Sequence, residues 1–74
     1  MTIEVQLFAG LQQGRFRRKK LEFPHGSTVA DVFEHLAIGV KEVAILLVND
    51  VTSRHDNPLK EGDVVSLLPA MSGG

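Results

Sequence analysis

Only one stretch of this chain carries the periodicity of an α-helix, and that single stripe limits the fold more than any other feature. Val29, Val32, Phe33 and Leu36 fall at i, i+3, i+4 and i+7, a spacing that gathers them on one side of a helix. Thr28 stands just before them, where a threonine hydroxyl can accept from a free N–H of the first turn. Asp31 follows three residues later, and a carboxylate there suits the positive helix end. Gly39 is expected to close the helix as its C′ residue. Glu34 and His35 fall on the outer side. A lone amphipathic helix has only one place to hide its stripe, across one face of a sheet.

The rest of the chain therefore has to supply strands. Ile3, Val5 and Leu7 alternate with Thr2, Glu4 and Gln6, the pattern of a half-buried strand. Phe8 and Ala9 are read as its extension, before turn signals from Gly10 to Gly14. A second strand is expected from Phe16 to Phe23, with Leu21 and Phe23 on one face and Arg18, Lys20 and Glu22 on the other. Pro24-His25-Gly26 stops it. Val43 to Val48 is apolar without interruption, which at that length reads as a strand covered on both sides. Asn49-Asp50 reverses the chain into a short piece at Val51-Thr52, followed by a polar loop from Ser53 to Asn57. Pro58-Leu59 re-enters, and Glu61-Gly62-Asp63 turns into a last strand from Val64 to Leu68, ended by Pro69.

The predicted order is β-β-α-β-(β)-β. The class is α+β with the shape of a β-grasp: a mixed sheet of four to five strands with one amphipathic helix across one face. Residues 1–69 form the domain and residues 70–74 a flexible tail.

Composition narrows the function. The chain has no cysteine, which removes disulfides, cysteine-held zinc or iron–sulfur centres and a thiol nucleophile. Its 74 residues leave little room both to close a core and to enclose a substrate, so a partner-binding module is expected rather than an enzyme. Eight basic against nine acidic side chains argue against a general nucleic-acid binder. The basic run Arg15 to Lys20 contains one aromatic, Phe16. Strand alternation would split its charges between two faces, and a solvated outer hairpin that steers an acidic partner is the better reading. His25, His35 and His55 lack metal-ligand spacing; they are read as surface histidines, and no metal site is expected. The longest apolar run, Val43 to Val48, falls far short of the roughly 20 residues that cross a bilayer. With no signal-peptide pattern at the start, a soluble, cytoplasmic protein without membrane contact is expected.

The sequence ends in Gly73-Gly74. At ordinary glycine usage a chance Gly-Gly ending is roughly a 0.5% event. A chain end that threads a narrow slot and presents its carboxylate to ATP gains from having no side chains, because it can approach a partner's backbone and adopt any φ. Phe8 is a second candidate: if Ile3, Val5 and Leu7 face the core, Phe8 points outwards, and an exposed aromatic suits an interface. Leu67 and Leu68 must face opposite ways.

Three segments together resemble a known family. They are Val48-Asn49, then Asp56-Asn57-Pro58-Leu59-Lys60-Glu61-Gly62-Asp63-Val64-Val65, then Leu68-Pro69-Ala70-Met71-Ser72-Gly73-Gly74. They are similar to the closing part of the MoaD/ThiS sulfur carriers, which are ubiquitin-like β-grasp proteins. Leu7-Phe8-Ala9 with Leu11, and the helix start Ser27-Thr28-Val29-Ala30-Asp31, extend the likeness over most of the chain. Gln12-Gln13 stands where the molybdopterin branch usually carries Arg-Glu, and the short Gly39–Glu42 connection looks more like the thiamin branch. The ending Leu68-Pro69-Ala70-Met71 leans towards molybdopterin.

The resemblance implies a mechanism with no catalytic group on this chain and no bound cofactor. A ubiquitin-activating-like adenylyltransferase would consume ATP to adenylate Gly74, and a persulfide sulfur donor would convert it to a thiocarboxylate. Gly73 would thread the slot beside it. Phe8, Leu68, Pro69, Ala70, Met71 and Ser72 would meet partners, either the molybdopterin synthase large subunit or a thiazole synthase. A ubiquitin-like modifier, ending on a lysine amine through Gly74, is the alternative from another class. A non-covalent β-grasp binding module is the third.

Overall fold

The computed structural model describes residues 1–70. Its strands are β1 (Thr2–Leu7), β2 (Arg18–Glu22), β3 (Val43–Val48), β4 (Val51–Thr52) and β5 (Val64–Pro69), with one helix, α1 (Val29–Leu36). They form a five-stranded sheet in the order β2-β1-β5-β3-β4. β1 pairs antiparallel with β2 and parallel with β5, while β3 pairs antiparallel with β5 and with β4. The parallel β1–β5 contact cannot be closed by a hairpin, so the chain must cross over between them. The crossover carries α1, which lays Val29, Val32 and Phe33 on the sheet face formed by Ile3, Val5, Leu7, Leu46, Val65 and Leu67. This is the β-grasp arrangement.

Local chemistry explains where the elements differ from their sequence outlines. β1 stops at Leu7 rather than running through Ala9, because Ala9 turns left-handed (φ 50°) and opens a 3₁₀ turn from Ala9 to Gln12. That turn swings Leu11 into the core. β2 is shorter than Phe16 to Phe23, since the chain before it is committed elsewhere. The Arg15 guanidinium donates to the carbonyls of Leu11 (3.1 Å), Leu36 (3.2 Å) and Ala37 (3.3 Å). Arg15 thus staples the hairpin to the C-terminal end of α1, where a cation is favoured by the helix dipole. It belongs to the fold rather than to a basic surface, unlike the exposed Arg17 to Lys20. Replacing it strands carbonyls at a helix end, so Arg15→Ala is expected to cost about 2 kcal/mol in urea unfolding. Arg15→Lys is expected to recover less than half, because one ammonium cannot reproduce the fork.

The helix closes on Ala37, not Gly39. Ala37 adopts the left-handed conformation (φ 55°, ψ 41°). Its N–H donates to Glu34 O (3.1 Å), and Ile38 N–H donates to Phe33 O (3.0 Å). This pair of bonds is a Schellman ending, and it turns Ile38 into the core. At the other end, the Asp31 carboxylate accepts from the N–H of Thr28 (2.7 Å) and from its hydroxyl (3.2 Å). Thr28 and Asp31 thus form a capping box, in which the Thr28 hydroxyl also donates to the Asp31 carboxylate. Loop carbonyls complete the cap: His55 O accepts from Ala30 N–H (2.8 Å) and Asn57 O from Val29 N–H (3.1 Å). His55 is consequently half-buried, its ring edge-on to Phe33 at 4.8 Å. Only His25 and His35 are surface histidines, as expected of all three.

The turn into β5 is built on Asp63. Its carboxylate accepts from Lys60 N–H (2.8 Å) and from the Asn49 side chain (3.0 Å), and the Asn49 side chain in turn accepts from Val64 N–H (3.0 Å). Gly62 sits at φ 84°, a backbone that favours glycine. Leu59 and Val65 are buried on either side. No helix among the described residues is long and apolar enough to cross a membrane.

Candidate functional site

Among the described residues, no element covers the sheet face opposite α1. Strand alternation and register settle which side chains lie on it. One row runs Arg18, Gln6, Ser66, Leu47, Thr52 across all five strands. Lys20, Glu4 and Val64 lie in the row towards the start of β5, with Glu22 and Thr2 beyond. In the other direction Leu68 pairs with Ile45. Phe8, still extended (φ −116°, ψ 149°), falls beside Leu68 and donates its N–H to Leu67 O at 3.2 Å.

The outer face is therefore polarised. Its β2 side is charged, with Arg18 and Glu4 paired at 3.4 Å. Its other end is an apolar corner made by Phe8, Ile45, Leu47 and Leu68. Phe8 is 40% and Ile45 47% exposed, large values for such side chains in a domain of this size. Beside Phe8, a surface groove of about 610 Å³ is lined by Gln6, Gln12, Arg17 and Arg18, which borders the apolar corner with two guanidinium groups.

This overturns the expectation that β3 is covered on both sides. Leu46 is buried, whereas Ala44 and Ile45 are exposed and Leu47 half-buried. The unbroken apolar run has two destinations: one set of residues packs under α1, and the other lies open. Ile45 and Leu47 were absent from the residues singled out by sequence. A signal for them existed, since one helix can cover only one face, and a strand apolar on both faces must then leave one uncovered.

The corner lies where β5 ends. Leu68 and Pro69 are half-buried and Ala70 is exposed. Pro69 still pairs with Val43, and Ala70 N–H donates to Glu42 O (3.0 Å). The strand thus runs one residue past Leu68 and ends on Pro69 itself. Of the other candidate residues, Met71, Ser72, Gly73 and Gly74 lie outside the described residues. Phe8, Leu68, Pro69 and Ala70 are brought together at one end of the molecule. Phe8 and Leu68 there form an apolar surface, and the described chain ends beside it at Ala70.

Comparisons with known proteins bear on the family and the fold. The model of the ThiS family matches residues 5–74. The sulfur carrier protein ThiS of Thermus thermophilus is 36% identical over 52 residues, covering 66% of this chain and 81% of that protein. Among solved structures, a putative molybdopterin converting factor subunit 1 from Pyrococcus furiosus matches with a TM-score of 0.77 and 26% identity, over 96% of this chain and 99% of its own. A chain from the complex of subunits 1 and 2 of the molybdopterin-converting factor of Helicobacter pylori matches over 100% of both chains, at 25% identity and a TM-score of 0.65.

Proposed function

The chain belongs to the ThiS family of sulfur carriers, and from that premise we propose that it works through a thiocarboxylate formed on Gly74 and serves molybdopterin synthesis. The observation that carries this reading is the continuity of the family match through Gly73-Gly74, behind a strand that ends beside an uncovered apolar corner. Such a chain needs a surface for an enzyme to grip and a reactive end to deliver, and no acid, base or nucleophile of its own.

The chemistry runs in three steps on partner proteins. The Gly74 carboxylate attacks the α-phosphorus of ATP and releases pyrophosphate, leaving an acyl adenylate. A persulfide then attacks the carbonyl carbon and expels AMP. A second thiol cleaves the resulting acyl disulfide by taking the donor sulfur as a mixed disulfide, which leaves the thiocarboxylate. A ubiquitin-activating-like adenylyltransferase supplies the first step, in the cytoplasm where ATP is at hand. The small subunit of molybdopterin synthase is the proposed destination, with the tail inserted in the large subunit. The match to subunit 1 of a molybdopterin converting factor supports it, as does the match within a complex of subunits 1 and 2.

A second reading, sulfur delivery to a thiazole synthase for thiamin, is favoured by the 36% identity to a ThiS carrier. Intact-mass measurement after incubation with ATP, the adenylyltransferase and a persulfide donor tests the shared chemistry. Replacement of one oxygen by sulfur is expected, whereas ladders on other proteins would mark a protein modifier. Purified large subunit and thiazole synthase, offered separately to the thiocarboxylate form, decide between the pathways by which one takes the sulfur.

The apolar corner has its own test. Ile45 is half exposed, so Ile45→Asp leaves the core intact but places a charge in the proposed contact. KM for adenylation is expected to rise about tenfold or more, with the unfolding midpoint close to wild type.

A further inference from the structure

We propose that Glu42 is a positioning residue for the C-terminal tail. Its carboxylate shapes the turn whose carbonyl holds Ala70, and so fixes the anchor point from which the remaining residues must reach a partner. The proposal rests on the reading of this protein as a carrier activated at Gly74.

Four observations converge on one place. Pro69 has no N–H to give to the ladder, so β5 is held to β3 at this end through the next residue, Ala70 N–H donating to Glu42 O at 3.0 Å. The accepting carbonyl belongs to a peptide unit fixed from its other side as well, because Val43 N–H bonds Val40 O. The 3₁₀ turn Val40–Glu42 that carries it is closed twice onto Gly39. Glu42 N–H donates to Gly39 O (3.0 Å), and Glu42 Oε2 accepts from Gly39 N–H (2.6 Å). The carboxylate lies so close over Gly39 that a Cβ added there would sit 3.3 Å from Oε2. Finally, the β3–β5 register shifts between Val43 and Ile45, an irregularity that bends a strand and re-aims the chain at its end.

Adenylation gives this anchor its importance. A carboxylate displaced by an ångström from its in-line approach to the α-phosphorus reacts far more slowly, even when docking is unchanged. Glu42 lies beside Ala70, and its carboxylate bond to Gly39 is exposed. Its loss is therefore expected to change rate rather than binding or global stability.

The experiment compares wild type, Glu42→Ala and Glu42→Gln in the full chain. Hydrogen exchange at the Ala70 amide is expected to quicken about fivefold in Glu42→Ala, relative to core amides such as Leu67. Glu42→Gln is expected to restore protection, because its amide oxygen can accept from Gly39 N–H. With the adenylyltransferase, kcat is expected to fall about tenfold in Glu42→Ala at unchanged KM, with recovery in Glu42→Gln. Unaltered Ala70 exchange, or an effect confined to KM, would overturn the proposal. If the wild-type chain is never adenylated, the carrier reading fails by itself, while Ala70 exchange still decides whether Glu42 holds the anchor.

Discussion

Removal of Gly74 alone is expected to abolish adenylation and sulfur transfer while leaving the domain folded. The thiocarboxylate route places the reacting atoms on this one residue. With Gly74 deleted, the carboxylate falls back to Gly73 and ends one residue short, up to about 3.5 Å of reach. An in-line attack on phosphorus tolerates no such gap, so kcat/KM is expected to fall by at least a hundredfold. Every core side chain of the described structure lies between Ile3 and Leu67, so the deletion removes none of that packing. The thermal midpoint is expected to move by less than about 2 °C. Gly74→Ala gives a graded comparison, because it keeps chain length and carboxylate but adds a Cβ in the slot. Intact mass reads the chemistry and calorimetry reads the fold. A deletion that still gains sulfur would defeat the proposed mechanism, whereas a large fall in the midpoint would show that the tail also supports the domain.

The sequence exposed the architecture because its signals were local and mutually consistent. Alternation in Thr2–Leu7 and the stripe Val29, Val32, Phe33, Leu36 each identify an element without reference to the rest. A single helix then leaves few ways to close the sheet. The misread boundaries depend instead on contacts between distant residues. Ala37 closes the helix in a conformation usually left to glycine because turning there sends Ile38 into the core. Arg15 looked like the start of a basic run, but its three acceptors lie in the 3₁₀ turn and at the end of α1. The family-like stretch around Leu59, Gly62 and Asp63 proves to be structural: it builds the turn that starts β5, and with it the run towards the tail. The contact corner was half legible. Phe8 follows from alternation alone, whereas Ile45 and Leu47 were hidden in a run that looked like core.

Substitution of the neighbouring leucines, Leu67 and Leu68, is expected to separate stability from function. Leu67 is fully buried at the centre of the sheet, paired with Leu7 on one side and Leu46 on the other. Cutting it to alanine opens a cavity under α1, and such changes cost about 2–5 kcal/mol. A domain of this length has only roughly 4–11 kcal/mol of stability in total. Leu67→Ala is thus expected to lower the urea midpoint by a third or more, and the protein that remains folded is expected to be activated normally. Leu68 points the other way, half-buried beside Phe8 and Ile45. Leu68→Ala removes little that the core needs, so the unfolding free energy is expected to fall by less than about 1 kcal/mol. The same change empties part of the proposed contact, and KM for adenylation is expected to rise about tenfold. Measured on the folded fraction, the two variants should show opposite profiles, one in unfolding and one in KM. If Leu68→Ala left KM unchanged, the outer corner would not be the surface that the adenylyltransferase grips, even with Gly74 still the site of chemistry.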